Sequence, residues 1–242
     1  MLYIFLMVIT KYYSPNFDLK KRSSKSITAI IIHYTGMQSE RESLKKLTSF
    51  HSKVSCHYLI NRTGTVFRLV HDNYVAWHAG KSRWANFKNL NKNSIGIELV
   101  NRGHKYGYQS FTKIQLKKLL ILCKKLKRKY RIKNQFILGH SDIAPLRKID
   151  PGEKFPWDYL FSKGVGIQPT KLKKSIKYEI NLDSGSFFKN LYKIGYRYLN
   201  TKLKKKLIKS FQRRFRQRKI DGIIDQETYK ISEILAKKSN LA

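Results

Sequence analysis

Two of the seven histidines stand where an apolar run gives out. His33 follows Ala29-Ile30-Ile31-Ile32 and precedes Tyr34-Thr35-Gly36, and His140 follows Phe136-Ile137-Leu138-Gly139 and precedes Ser141-Asp142. Each reads as the end of a buried strand running into a loop, which is where sites form in open α/β sheets. Asp150 comes ten residues after His140, in Lys148-Ile149-Asp150-Pro151-Gly152, where Pro and Gly hold the carboxylate in a fixed turn. Two imidazoles and one carboxylate, with a fourth position left for water, are the ligand set of a catalytic zinc. A histidine at a strand end is also commonly a hydrogen-bonded core residue, and spacing alone leaves both readings open. Glu98 is a charged residue inside the apolar run Ile95-Gly96-Ile97-Glu98-Leu99-Val100. Burying it is costly unless it is paired or faces a wet cleft. The alternative is a strand-end glutamate bridged to a surface lysine.

These residues need a scaffold of strands. Runs at 27–34, 55–60, 66–70, 95–100 and 135–139 are β-branched or aromatic and bounded by turn signals, with Asn61-Arg62-Thr63-Gly64 as a hairpin-type connector. Helical periodicity appears at 40–51 and at 112–130. In the second, Leu116, Leu119, Leu120, Cys123, Leu126 and Tyr130 make one apolar stripe, and Thr112 with Gln115 reads as a capping box. Strands interleaved with helices imply an α/β fold, a central mixed sheet flanked by helices. A composition break with Gly164, Gly166, Pro169, Asp183, Ser184 and Gly185 spans 164–186, after which the strand-like runs stop. Helices are expected at about 186–199, 202–219 and 225–238, with Asp225 as an N-cap, giving a small three-helix unit. The division expected is an N-terminal segment 1–22, a catalytic domain 23–166, a linker 167–185 and a helical domain 186–242.

The 242 residues include 41% hydrophobic and 13% aromatic, enough for a core, so wholesale disorder is excluded. No apolar run approaches the roughly 18 residues of a membrane-spanning helix. The net charge of +36 would suit a polyanion partner. However, residues 183–242 carry only 16 of the 51 Lys and Arg, so the excess is not gathered in one arm. Most of it is Lys, which lacks the planar fork used to read bases. A generally basic surface is therefore preferred to a dedicated nucleic-acid site, and anionic wall polymer would be attracted equally well. Cys56 and Cys123 are too few for a disulfide scaffold and lack metal spacing. The apolar start, MLYIFLMVIT, has no basic residue before it and no small-residue cleavage site after it, which fits a first strand or a truncated leader.

Several motifs stand in one order: His33-Tyr34-Thr35, Ser55-Cys56-His57-Tyr58-Leu59-Ile60, Trp77-His78-Ala79-Gly80, Ser94-Ile95-Gly96-Ile97-Glu98, and Gly139-His140-Ser141-Asp142-Ile143-Ala144-Pro145. With Arg147-Lys148-Ile149-Asp150-Pro151-Gly152 and Phe155-Pro156-Trp157, they resemble the type 2 N-acetylmuramoyl-L-alanine amidases, a family that includes the AmiD and AmpD types and the animal peptidoglycan recognition proteins. The resemblance covers about residues 27–166 and is nearest to the AmiD branch. Phe211-Gln212-Arg213-Arg214-Phe215 and Asp221-Gly222-Ile223-Ile224-Asp225-Gln226-Glu227-Thr228 are similar to the helical peptidoglycan-binding-type unit that follows catalysis there.

The resemblance implies one zinc per chain, bound by His33, His140 and Asp150, with Glu98 as the acid/base carboxylate and Lys148 as the partner of the developing oxyanion. It places Tyr34, Arg62, Trp77, His78 and Ala144 among substrate-binding positions, and a structural role is expected for His57. Asn89 stands where AmpD proper carries a substrate-contacting arginine, which argues against a strict preference for anhydro-muropeptide. The implied activity is hydrolysis of the amide between N-acetylmuramic acid and L-alanine in peptidoglycan or its muropeptide fragments. The alternative is a non-catalytic peptidoglycan-binding module. The periplasm or cell envelope is the expected location, with the cytoplasm as the alternative.

Overall fold

The apolar runs form the sheet they predict. The structure is a computed structural model that describes residues 7–169, 183–200 and 202–239. Its strands in chain order are β1 (Val8–Ile9), β2 (Phe17–Asp18), β3 (Ala29–Tyr34), β4 (Tyr58–Ile60), β5 (Val66–Arg68), β6 (Val75–Ala76), β7 (Arg83–Trp84), β8 (Phe87–Lys88), β9 (Ser94–Leu99) and β10 (Ile137–Gly139). The main sheet is mixed, in the order β1-β5-β4-β9-β3-β10. The β4–β5 pair is antiparallel, and β4, β9, β3 and β10 run parallel. The helices are α1 (Glu40–Thr48), α2 (Lys113–Tyr130), α3 (His140–Ile143), α4 (Trp157–Ser162), α5 (Ser184–Ile194), α6 (Lys204–Phe215) and α7 (Gln226–Lys238).

Side chains alternate across a strand, so each face of the sheet has its own cover. Ile30, Ile32, Ile95, Ile97 and Leu99 meet the α2 stripe of Leu116, Leu119, Leu120, Cys123 and Leu126. On the opposite face, Ala29, Ile31 and Leu138 join Ile143, Phe187, Leu191, Leu207 and Phe211, so the C-terminal helices share one core with the sheet. Farther across that face, Leu59 and Phe67 pack on Leu47 of α1. The part of the face between these two covers holds the site.

Local chemistry sets the helix ends. Thr112 accepts from the Gln115 N–H, as its cap position requires. The expected capping box is only half formed, because the Gln115 side chain turns inward to donate to the Ile60 and Val100 carbonyls. Asp225 caps α7 through the Thr228 N–H. The helix expected at 40–51 ends at Thr48 and is followed by a 3-10 turn at Phe50–Ser52.

Residues 8–22 are woven into the rest of the fold. β1 pairs with β5, and β2 with β6. Arg22 donates to the Asp72, Asn91, Lys92 and Ser94 carbonyls. Much of the composition break read as a linker, residues 170–182, lies outside the described residues.

Candidate active site

Parallel pairing brings the predicted residues together. His33 lies opposite Glu98 in the β3–β9 register, and Gly139 lies opposite Ile32 in the β10–β3 register. His140, the next residue, therefore emerges beside His33. The segment from α3 then loops back so that the Ser141 N–H donates to the Asp150 carbonyl at 2.8 Å. His33 Nδ1, His140 Nδ1 and Asp150 Oδ2 converge at mutual distances of 3.0, 3.0 and 3.1 Å. All three residues are buried.

The hydrogen bonds behind the cluster determine where the protons sit. His140 Nε2 donates to the Ala79 carbonyl at 3.1 Å, which leaves the lone pair on Nδ1. Ser94 Oγ donates to the Leu90 carbonyl at 2.5 Å and so accepts from His78 Nε2 at 3.3 Å. His78 Nδ1 then carries a lone pair and accepts from His33 Nε2 at 3.1 Å, which puts a second lone pair on His33 Nδ1. Burial lowers the His33 pKa to about 4, assisted by neighbouring His140 and opposed by Asp150, and lowers that of His78 well below normal. Two imidazole lone pairs and a carboxylate oxygen thus face one another with no proton between them. That donor set fits a divalent cation, and without one it sets acceptor against acceptor.

Glu98 faces the same cavity, of about 330 Å³. Its Oε2 is buried without a hydrogen-bond partner. Burial, then the charge of Asp150, pushes its pKa up to about 8, while Lys148 and Lys46 pull the other way. It is not the lysine-bridged glutamate of the alternative reading. Lys148 is half-buried and lines the cavity, as do Tyr34, Trp77, Lys46 and Lys105. Such a carboxylate, beside a cation site and basic walls, can move a proton at a polarised carbonyl.

A model of the N-acetylmuramoyl-L-alanine amidase family matches residues 23–153. The chain belongs to this family. The family's AmiD from Escherichia coli strain K12 is 34% identical over 233 residues, 88% of this chain and 83% of that one. AmpD from Haemophilus influenzae is 33% identical over 167 residues, 62% of this chain and 88% of its own. E. coli AmiD in complex with anhydro-N-acetylmuramic acid-L-Ala-D-gamma-Glu-L-Lys superposes with a TM-score of 0.82 at 31% identity, over 93% of this chain and 94% of that one. Pseudomonas aeruginosa AmpDh3 gives 0.82 at 29% identity, over 93% and 96%. At 93% of this chain, both structural matches include the C-terminal helices. The chain is thus an amidase of the hydrolase class, with the mixed sheet and helical C-terminal region its sequence implies.

Within this amidase, two residues expected at the substrate do not line this cavity. Arg62 sits in the β4–β5 turn, where its Nη1 donates to the Ser110 carbonyl at 3.2 Å, and Ala144 is buried in the core shared with the C-terminal helices. His78 borders the cavity, but its ring is committed to His33 and Ser94. Asn89 takes a left-handed conformation before a 3-10 turn and does not line the cavity. Of Arg213, Arg214, Arg216 and Arg218, three pair within the fold: Arg214 with Asp142, Arg216 with Asp225 and Glu227, and Arg213 with Glu153. Only Arg218 of the four is exposed, and it meets Glu227. Sequence reasoning missed Asn91, whose Oδ1 accepts from the His78 and Ala79 N–H groups and fixes that loop; nothing in its neighbours signals this. It also missed Gly96, where a Cβ would lie 2.4 Å from the His78 ring.

Proposed function

We propose that this amidase is zinc-dependent and cleaves the amide between the lactyl group of N-acetylmuramic acid and L-alanine, in muropeptide fragments and in intact wall. The reading rests on one observation above all: three donor atoms converge in the same cavity as a carboxylate whose buried Oε2 has no hydrogen-bond partner. His33, His140 and Asp150 would hold one zinc per chain, which supplies Lewis acidity and lowers the pKa of water to about 7. Glu98 takes a proton from the attacking water and delivers it to the alanine nitrogen as the carbon–nitrogen bond breaks. The products are a carboxylic acid on the sugar side and a free amine on the peptide. Lys148 offers positive charge to the carbonyl oxygen as it becomes anionic. Tyr34 and Trp77 would border the bound substrate. The anhydro-muropeptides bound in the AmiD and AmpDh3 structures support the substrate class.

Location in the periplasm or cell envelope is part of this proposal, supported by the likeness of the C-terminal helices to a wall-binding unit. No helix among the described residues is long and apolar enough to cross a membrane. The test is incubation with a purified muropeptide, with and without a chelator, followed by mass spectrometry. Release of a stem peptide beginning with L-alanine, abolished by chelation and restored by zinc, is expected. Cleavage that survives exhaustive chelation would refute the metal role. Stoichiometric zinc with intact substrate would leave a binding module.

A further inference from the structure

We infer that the C-terminal helices are a positioning element of the active site, with Arg214 locking the segment that carries His140 and Asp150. The inference rests on the reading that these residues, with His33, hold the metal.

Ser210, Arg213 and Arg214 lie on one face of α6, three and four residues apart, and Gln217 follows in the turn after the helix. That face is laid along the ligand segment. Ser210 Oγ donates to the Ser141 carbonyl at 2.6 Å. Arg214 Nη2 donates to the Ile137 carbonyl at 3.0 Å, and its Nη1 reaches Asp142 Oδ2 at 3.4 Å. Gln217 Nε2 donates to the Phe155 carbonyl at 2.8 Å. The contacts fall before His140, just after it and beyond Asp150, so both ends of the segment are held.

Asp142 is the pivot. Its Oδ2 accepts from the Gly139 N–H at 2.7 Å, which aims the residue before His140. Its Oδ1 accepts from the Tyr196 hydroxyl, at the end of α5, at 2.9 Å. Asp142 and Arg214 are each only 2% exposed, and the guanidinium lies 3.2 Å over the Trp157 ring. A buried ion pair is costly to assemble and costly to break from one side. A wall-binding appendage on a linker has no need of one. Here it ties two helices of the C-terminal unit to the backbone that presents a ligand. Arg213 extends the contact to the cavity rim, since Glu153 accepts from His104 Nε2 at 3.0 Å and His104 Nδ1 meets the Tyr34 hydroxyl at 2.9 Å.

The test is zinc affinity of the full chain by competition with a chromophoric chelator, at a temperature where circular dichroism shows each protein folded. Steady-state kinetics at saturating zinc accompany it. Arg214→Met is expected to weaken zinc binding about 10–100-fold, the range of partners that orient ligands, and to lower kcat with little change in KM. A lowered Tm with zinc affinity and kcat within twofold of wild type would show a merely structural role and overturn the inference. Should Arg214→Met fail to fold, Ser210→Ala and Gln217→Leu remove single hydrogen bonds to the segment. Each is then expected to weaken zinc about fivefold, and affinity within twofold for both overturns the inference. A wild-type chain that binds no zinc overturns the metal reading itself.

Discussion

His33 and Glu98 are register partners across the parallel β3–β9 pair and project from the same face of the sheet, yet they are bonded to different things. His33 is held from behind by His78 at 3.1 Å, whereas the buried Oε2 of Glu98 has no partner. One of the pair is locked and the other is free to take up a proton. Those opposite conditions suit the roles proposed for them, metal ligand and base.

Glu98→Gln keeps the shape of the side chain and removes its basicity. It should retain the metal and lose about 10²–10⁴-fold in kcat/KM. Zinc content and product formation on one purified muropeptide check this together; near-wild-type turnover would sink the assignment.

The pH profile should carry the same signature. Glu98 must be ionised to accept a proton, so kcat/KM rises with pH through its pKa. That pKa stands at about 8 without a metal, and a bound cation pulls it lower. Lys148 is among the charges holding it down. Lys148→Met should therefore move the acidic limb to higher pH as well as lower kcat. A limb that stays put, measured over pH 5–9 (a range of about four units spanning the expected limb), would separate Lys148 from Glu98.

Gly96→Ala tests the support behind His33. A Cβ there would stand 2.4 Å from the His78 ring, on strand backbone that cannot retreat. His78 would be displaced and His33 would lose its proton acceptor. Zinc affinity should fall about 10–100-fold, with overpacking costing about 1–3 kcal/mol of stability. Chelator competition and urea denaturation measure the two effects separately.

His57 should make the fold sensitive to acid. Its Nδ1 accepts from the Gly96 N–H at 3.0 Å, and Arg22 lies 2.9 Å from its Nε2, so a second proton has no acceptor and meets a like charge. Burial, then Arg22, lowers its pKa to about 3, against an ordinary 6.5. The folded state therefore binds fewer protons between these values. Stability is intact above about 6.5 and falls as pH drops toward 3, by about 2 kcal/mol for this group at pH 5. Urea midpoints of the metal-free protein at pH 7.5 (about one unit above the histidine range) and at about pH 5 should differ less in His57→Asn than in wild type. An equal difference would remove His57 from the account.

The residues that meet in the cavity could be picked out before any coordinates. His33, His140, Glu98 and Asp150 are polar groups at the ends or interiors of apolar strands, and such exceptions to patterning are visible without coordinates. The sequence also determined the strands, because β-branched runs between turn signals leave few alternatives, and the stripe on α2, because its period is that of a helix. Only the tertiary structure decided what those residues bond to. The tautomers of His33 and His140 depend on Ala79, His78 and Ser94, which are brought near by loops with no periodic signal. The glutamine of the expected capping box went to two sheet carbonyls instead, because buried carbonyls need donors more than an exposed helix start does. Arg213 and Arg214 of α6 and Arg216 just after it count toward the basic excess of the sequence, yet the fold pairs them with Glu153, Asp142 and Asp225. Charge along a sequence is a sum over residues, whereas the pairing of charges depends on which buried acid each helix face meets when the chain closes.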